Sequence, residues 1–153
     1  MSIVKSFDNA FKKMHEQGWD KIYVLVDIHD TIFRACYDND ETYEMFPFAE
    51  HVLRILSYKK NISLILWTSS YQNKIADYIK KLKSMGIRFD MVNANFEVAN
   101  TKLSCFDEKL YFNVGIDDKF GFDAEHDWGE LWDYFVKREP TIINEYLNRN
   151  NND

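Results

Sequence analysis

Proline and glycine are scarce in this chain, with two prolines and five glycines among 153 residues. It has no Pro/Gly-rich linker, low-complexity tract or internal repeat to divide it. One domain is therefore predicted over residues 1–147, followed by a polar, disordered tail over 148–153. Cysteine is equally sparse. Cys36 and Cys105 lie far apart with no CxxC or Cys/His spacing, which argues against a disulfide framework and predicts free thiols in a reducing, cytoplasmic setting. No apolar run approaches the length of a membrane span, and Met1 to Gln17 alternate in charge without the apolar segment of a signal peptide. Positive charge is in deficit. A formal net charge of −6 argues against nonspecific nucleic-acid binding, yet leaves room for a local basic pocket around a phosphate.

Apolar residues are abundant at 46%, enough for a sizeable core, and their spacing changes along the chain. Ile3, Phe7, Ala10, Phe11 and Met14 recur at helical spacing, with Gly18 as a stop. Ile22 to Val26 reads as a strand buried on both faces. Residues 32–46 show neither period and read as a loop or short flap. Pro47 opens a helix carrying Phe48, Val52, Ile55 and Leu56 on one face. Ile62 to Trp67 is a second buried strand. A helix follows with Ile75, Tyr78, Ile79 and Leu82 inward, ended by Gly86. Phe89 to Asn93 is a short third strand, residues 94–108 are irregular, and Leu110 to Ile116 is a fourth strand. Trp128, Leu131, Trp132 and Phe135 mark another helix, and Pro140 starts a last one through Leu147. Strands alternating with helices predict an α/β domain with a mainly parallel sheet and right-handed crossovers.

Three of these strands end in chemistry: Asp27 with Thr31, Thr68 with Ser69 and Ser70, and the pair Asp117/Asp118. In open α/β sheets ligands bind beyond the carboxyl ends of the strands, so parallel neighbours would bring these groups to one edge. Carboxylates grouped there repel one another and call for a cation. All-oxygen ligation with few protein donors suits magnesium, which keeps waters and takes its other ligands from carboxylates and phosphate. Lys102 and Lys109, both upstream of the last strand, are candidates to neutralise a phosphate oxygen.

These residues resemble the haloacid dehalogenase (HAD) superfamily, and its phosphatases in particular. Asp27-Ile28-His29-Asp30-Thr31 stands where that family has Asp-x-Asp-x-Thr, Leu64-Ile65-Leu66-Trp67-Thr68 matches its second motif, and Val114-Gly115-Ile116-Asp117-Asp118 its fourth. The third is a lysine, for which Lys109 is preferred and Lys102 is the alternative. The resemblance spans roughly residues 20–125. It implies a three-layer Rossmann-like core and a magnesium-dependent phosphohydrolase acting through an aspartyl-phosphate. Asp27 is then the nucleophile. Magnesium is held by Asp27, the backbone carbonyl of His29 and Asp118, and Asp117 is a further ligand or a partner of Lys109. Thr68, with the N–H of Ser69, binds the phosphoryl group that Lys109 neutralises.

The departure is His29, where the family's phosphatases place a second Asp. Three readings stand. His29 replaces that residue as general acid and base, since imidazole takes up and releases protons near neutrality. Or it supplies only its carbonyl, with turnover confined to good leaving groups. Or the chain is a degenerate relative that binds a phosphorylated ligand or partner without turnover. Asp123 either orients a metal-bound water or caps a helix, and Asn93 and Asn95 either reach the site rim or make turns. His15, His51 and His126 lack ligand spacing.

The chain lacks room for the cap domains that usually confer specificity in this superfamily, so the resemblance is to its capless members. An open site favours large substrates such as phosphoproteins or nucleic-acid termini, or lets an oligomeric neighbour act as a lid. A phosphorylated small molecule, nucleotides included, is equally defensible. Phe33, Arg34, Tyr37 and Tyr43 either line the entrance or pack over the sheet end. A dehalogenase fits poorly with an acidic pair near a carboxylate substrate. A receiver-type signalling domain would carry the acidic pair on its first strand, the reverse of this order.

Overall fold

The computed structural model describes residues 2–35 and 43–151. Strands β1 (Ile22–Val26), β2 (Ile62–Leu66), β3 (Met91–Val92) and β4 (Val114–Ile116) form an all-parallel sheet in the order β3-β2-β1-β4. Among the described residues five α-helices accompany it: α1 (Ile3–Gln17), α2 (Ala49–Tyr58), α3 (Gln72–Ser84), α4 (Asp127–Arg138) and α5 (Pro140–Asn151). Every residue of β1 and β2 is buried, Ser63 of β2 included, as their largely apolar runs require. The chain leaves β1 toward β2 and β3, then returns past β1 to make β4. This Rossmann-like order puts its switch point between the carboxyl ends of β1 and β4, where such sheets bind ligands.

The layers are unlike. Ile22, Val24, Val26, Ile62, Leu64 and Leu66 face a core to which all five helices contribute. The alternate residues Tyr23, Leu25 and Ile65 face the other way, against Met91, Val98 and Leu110 to Phe112. That second face is covered by the non-helical β3–β4 connection. Gly115 lies on it, and a Cβ there would meet the Phe120 ring at 2.8 Å, so the missing side chain lets that ring close over β4.

Differences from the sequence reading have local causes. β4 begins at Val114 rather than Leu110, because Leu110, Tyr111 and Phe112 pack across the second face instead of extending the strand. An apolar run cannot distinguish the two placements. Asn113 makes the transition: its N–H donates to the Tyr23 carbonyl, and its Oδ1 accepts from the Tyr23 N–H, both at 2.8 Å. β3 is likewise shorter than Phe89 to Asn93. α5 continues to Asn151, so the expected tail is helical as far as that residue, with the Arg149 guanidinium 4.5 Å from the Tyr58 ring centroid. The flap's described arms pair with each other, Phe33 against Met45 and Arg34 N–H to the Glu44 carbonyl at 2.8 Å. Tyr37 and Cys36 lie outside the described residues, whereas Cys105 is a free, exposed thiol. Among the described residues no helix is long and apolar enough to cross a membrane.

Candidate active site

Asp27 is the first residue beyond β1, and its N–H donates to the Ile116 carbonyl at 2.9 Å, which ties the ends of β1 and β4 together. Asp117 and Asp118 follow β4 directly. Carboxylate oxygens of Asp27, Asp117 and Asp118 lie within 4.8 Å of one another. Asp117 is buried, Asp27 half-buried and Asp118 exposed. Burial, and then the charge of Asp117, push Asp27 up to about 7, against the N–H of Ile28, which favours its charged form. Burial also raises Asp117, opposed by the Lys119 N–H on its Oδ1 at 2.9 Å. Three oxygen donors that resist being charged together fit a hard divalent cation, which would remove the repulsion.

Thr31 joins the two halves of this cluster. Fully buried, it donates through Oγ1 to Asp27 Oδ2 at 3.4 Å and accepts there from the Asp118 N–H at 3.3 Å. Its carbonyl accepts from the indole N–H of Trp128 in α4 at 2.8 Å. The intervening turn is tight: the Ile28 carbonyl accepts from the amides of Thr31, Ile32 and Phe33, and Asp30 sits at φ 57°. Asp tolerates that left-handed conformation better than most residues, and its Oδ1 accepts from the Ala35 N–H at 3.0 Å. Asp30 is thus a turn residue. Among the described residues nothing donates to the His29 carbonyl, which is left open as a ligand.

His29 turns its ring toward α3, where Nε2 lies 2.9 Å from the Tyr78 hydroxyl and the rings meet edge to face at 5.4 Å. Its Nδ1 has no partner among the described residues. Tyr78 stacks on the buried Phe33, and Tyr43 packs edge-on against both. Arg34 is occupied by a bidentate pair with Glu125, a bond to Glu44 and the Phe46 ring. These flap residues therefore pack, and only Tyr43 is substantially exposed.

Thr68 follows β2 at the same sheet edge. Asn93, at φ 51° after β3, clamps it: Oδ1 accepts the Thr68 N–H and Nδ2 donates to the Thr68 carbonyl, both at 2.8 Å. The Thr68 hydroxyl donates to Ser70 Oγ at 3.1 Å and accepts from the Ser70 N–H at 3.2 Å. The Ser69 N–H has no acceptor among the described residues. Asn95 instead serves the second face, donating to the Tyr111 carbonyl at 2.9 Å.

Neither sequence-predicted lysine joins the cluster. Lys109 and Lys102 are exposed and make no hydrogen bond or ion pair with Asp27, Asp117 or Asp118; Lys109 lines a separate 380 Å³ depression with Cys105 and Tyr111. Lys119, next to the acidic pair, is the lysine whose charge acts on Asp117. Its position immediately after Asp118 was the available signal. Asp123 resolves as a turn residue before α4, accepting from the Glu125 N–H at 3.1 Å and His126 Nδ1 at 2.9 Å. Tyr78 was legible only as core, since no sequence rule couples it to His29.

A solved structure has this fold. It is described as that of a conserved protein coded by a locus from Bacteroides thetaiotaomicron, and is similar with a TM-score of 0.59 and 26% identity over 79% of this chain and 93% of that one. No family model and no curated protein matches the sequence.

Proposed function

We propose that this chain is a magnesium-dependent phosphomonoester hydrolase of the haloacid dehalogenase type. The observation that carries the reading is the meeting of Asp27, Asp117 and Asp118 oxygens within 4.8 Å at the switch point of a parallel sheet. Asp27, Asp117, Asp118 and the His29 carbonyl would hold the cation. When bound, it offsets the charge of the carboxylates and of the phosphoryl oxygens. An Asp27 oxygen attacks phosphorus as the bond to the leaving oxygen breaks, and water then hydrolyses the aspartyl-phosphate. Thr68 and the Ser69 N–H orient the phosphoryl group. His29, anchored at Nε2 by Tyr78, presents Nδ1 as the proton donor to the leaving oxygen.

The positions of Lys109 and Lys102 favour a second reading, a relative that binds phosphorylated ligands without turnover. Magnesium-dependent hydrolysis of an aryl phosphate by wild type, Asp27→Asn and His29→Ala separates the two. Turnover lost in Asp27→Asn is expected. Inert wild type with every metal and phosphoester tried leaves only the binding role.

A further inference from the structure

Trp67 stands one residue beyond β2, as Asp27 does beyond β1 and Asp117 beyond β4. The last paired row is Leu66, Val26 and Ile116, all in the helical core. Strand alternation turns the next row, Trp67, Asp27 and Asp117, toward the second face, with neighbouring strands ~4.8 Å apart. On that face a 440 Å³ cavity opens against Trp67, walled by Phe96, Phe106 and Leu110 and bordered by Asp107 and Glu108. Asn93, which clamps Thr68, is part of its rim. The volume lies in the range of small-molecule sites. Trp67 and Phe96 are exposed, at 36% and 84%, although nothing in the core requires an aromatic there.

The sign of the lining discriminates among ligands. No Lys, Arg or His borders the cavity among the described residues, while two carboxylates do. A second phosphate, from a diphosphate or a nucleic-acid strand, would enter against that charge. A neutral group offering hydroxyl or amino donors would meet acceptors. We infer that this cavity receives the leaving group of the substrate, and that the substrate is a nucleoside monophosphate whose base stacks on Trp67 and whose sugar hydroxyls donate to Asp107 and Glu108. The inference deepens the phosphatase reading and rests on it for turnover, but not for binding.

The test uses the full chain with magnesium and compares a nucleoside monophosphate with ribose 5-phosphate, a nucleoside diphosphate and a 5′-phosphorylated oligonucleotide. The monophosphate is expected to lead ribose 5-phosphate in kcat/KM by roughly ten- to hundred-fold, the usual worth of one stacked base. Trp67→Ala collapses that ratio through KM, Trp67→Phe restores most of it, and Glu108→Lys shifts preference toward the diphosphate. Equal turnover of monophosphate and ribose 5-phosphate, or a ratio unmoved in Trp67→Ala, overturns the assignment. So does a preference for the oligonucleotide. If wild type hydrolyses no phosphoester, the parent reading has failed and the pocket is judged by binding alone. Tryptophan fluorescence quenched by the monophosphate in wild type and not in Trp67→Phe supports it, and no saturable quenching refutes it.

Discussion

The two faces of the sheet divide the labour. One side of β1 and β2 is sealed by five helices, with Phe7, Phe11, Trp128 and Phe135 almost wholly buried. The other presents Tyr23, Leu25 and Ile65 to an irregular connection, and the row beyond them is Trp67, Asp27 and Asp117. Regular helices can cover a face completely because they satisfy their own backbone while burying an apolar stripe. The loop covers its face less fully, leaving an open cavity bordered by Asp107 and Glu108. Close packing is thus densest on the helical face, while the exposed aromatics and the open cavity lie on the other. Thr31 and Trp128 connect them: the Trp128 indole reaches out of the helical core to hold the turn that carries Asp27.

Asp27→Asn is the sharpest way to separate the two roles. Turnover of any phosphomonoester is expected to fall by at least ~10,000-fold, the scale of losing a nucleophile. Thermal unfolding without metal at pH 8 should be unchanged or raised, because the neutral amide no longer ionises beside Asp117 and Asp118. Substantial activity in this variant rules out Asp27 as the nucleophile. Phe7→Ala strikes the opposite face. Its ring is fully buried and meets Phe135 edge to face at 5.6 Å, so truncation should cost about 3–5 kcal/mol in denaturant unfolding. Assayed well below its transition, the same variant should keep its KM.

pH and metal test the electrostatic half of the comparison. Asp27 is raised to about 7 in the folded protein, so the native state holds this proton at pH values where the unfolded chain has lost it. Its contribution to stability is therefore fullest below about pH 4 and declines as pH rises toward 7; Asp117, also raised, acts in the same direction. The exposed Asp123 and Glu125, held below their usual range by His126 and Arg34, oppose this weakly because solvent screens them. Millimolar magnesium should raise the melting temperature at pH 8 and do little at pH 5. Equal shifts at both values would place the cation elsewhere.

The helical face was largely legible in the sequence because period and burial agree there. The stripes of α1 and α4 and the limits of β1 were read directly, and Gly18 stops α1 in the left-handed conformation expected of it, at φ 68°. On the second face Leu110 to Phe112 looked like strand but cross over it, since apolarity reports burial and not direction. Within the site, Asp27, Thr31 and the Asp117/Asp118 pair announced themselves as polar groups at strand ends. Lys109 was carried by motif order, which fixes sequence position without fixing which edge of the sheet a loop residue visits. Tyr78 read only as a core residue and Trp67 only as a strand end within the second motif, because the contact of Tyr78 with His29 and the cavity beside Trp67 both depend on partners from other elements.

The smallest expected effect concerns His29. Tyr78→Phe keeps the ring stacked on Phe33 and removes only the hydroxyl that meets Nε2. A hydrogen bond of this kind is worth about 0.5–1.5 kcal/mol, or roughly two- to twelve-fold in rate if it acts through orientation. The loss should fall on kcat for alkyl phosphates, whose leaving oxygen needs a proton, and far less on aryl phosphates, which depart without one. His29→Ala should show the same selectivity more strongly, and the double variant should add little to it. Equal losses on both leaving-group classes would mean that Tyr78 acts only through packing. His29 would then serve the site through its backbone carbonyl alone.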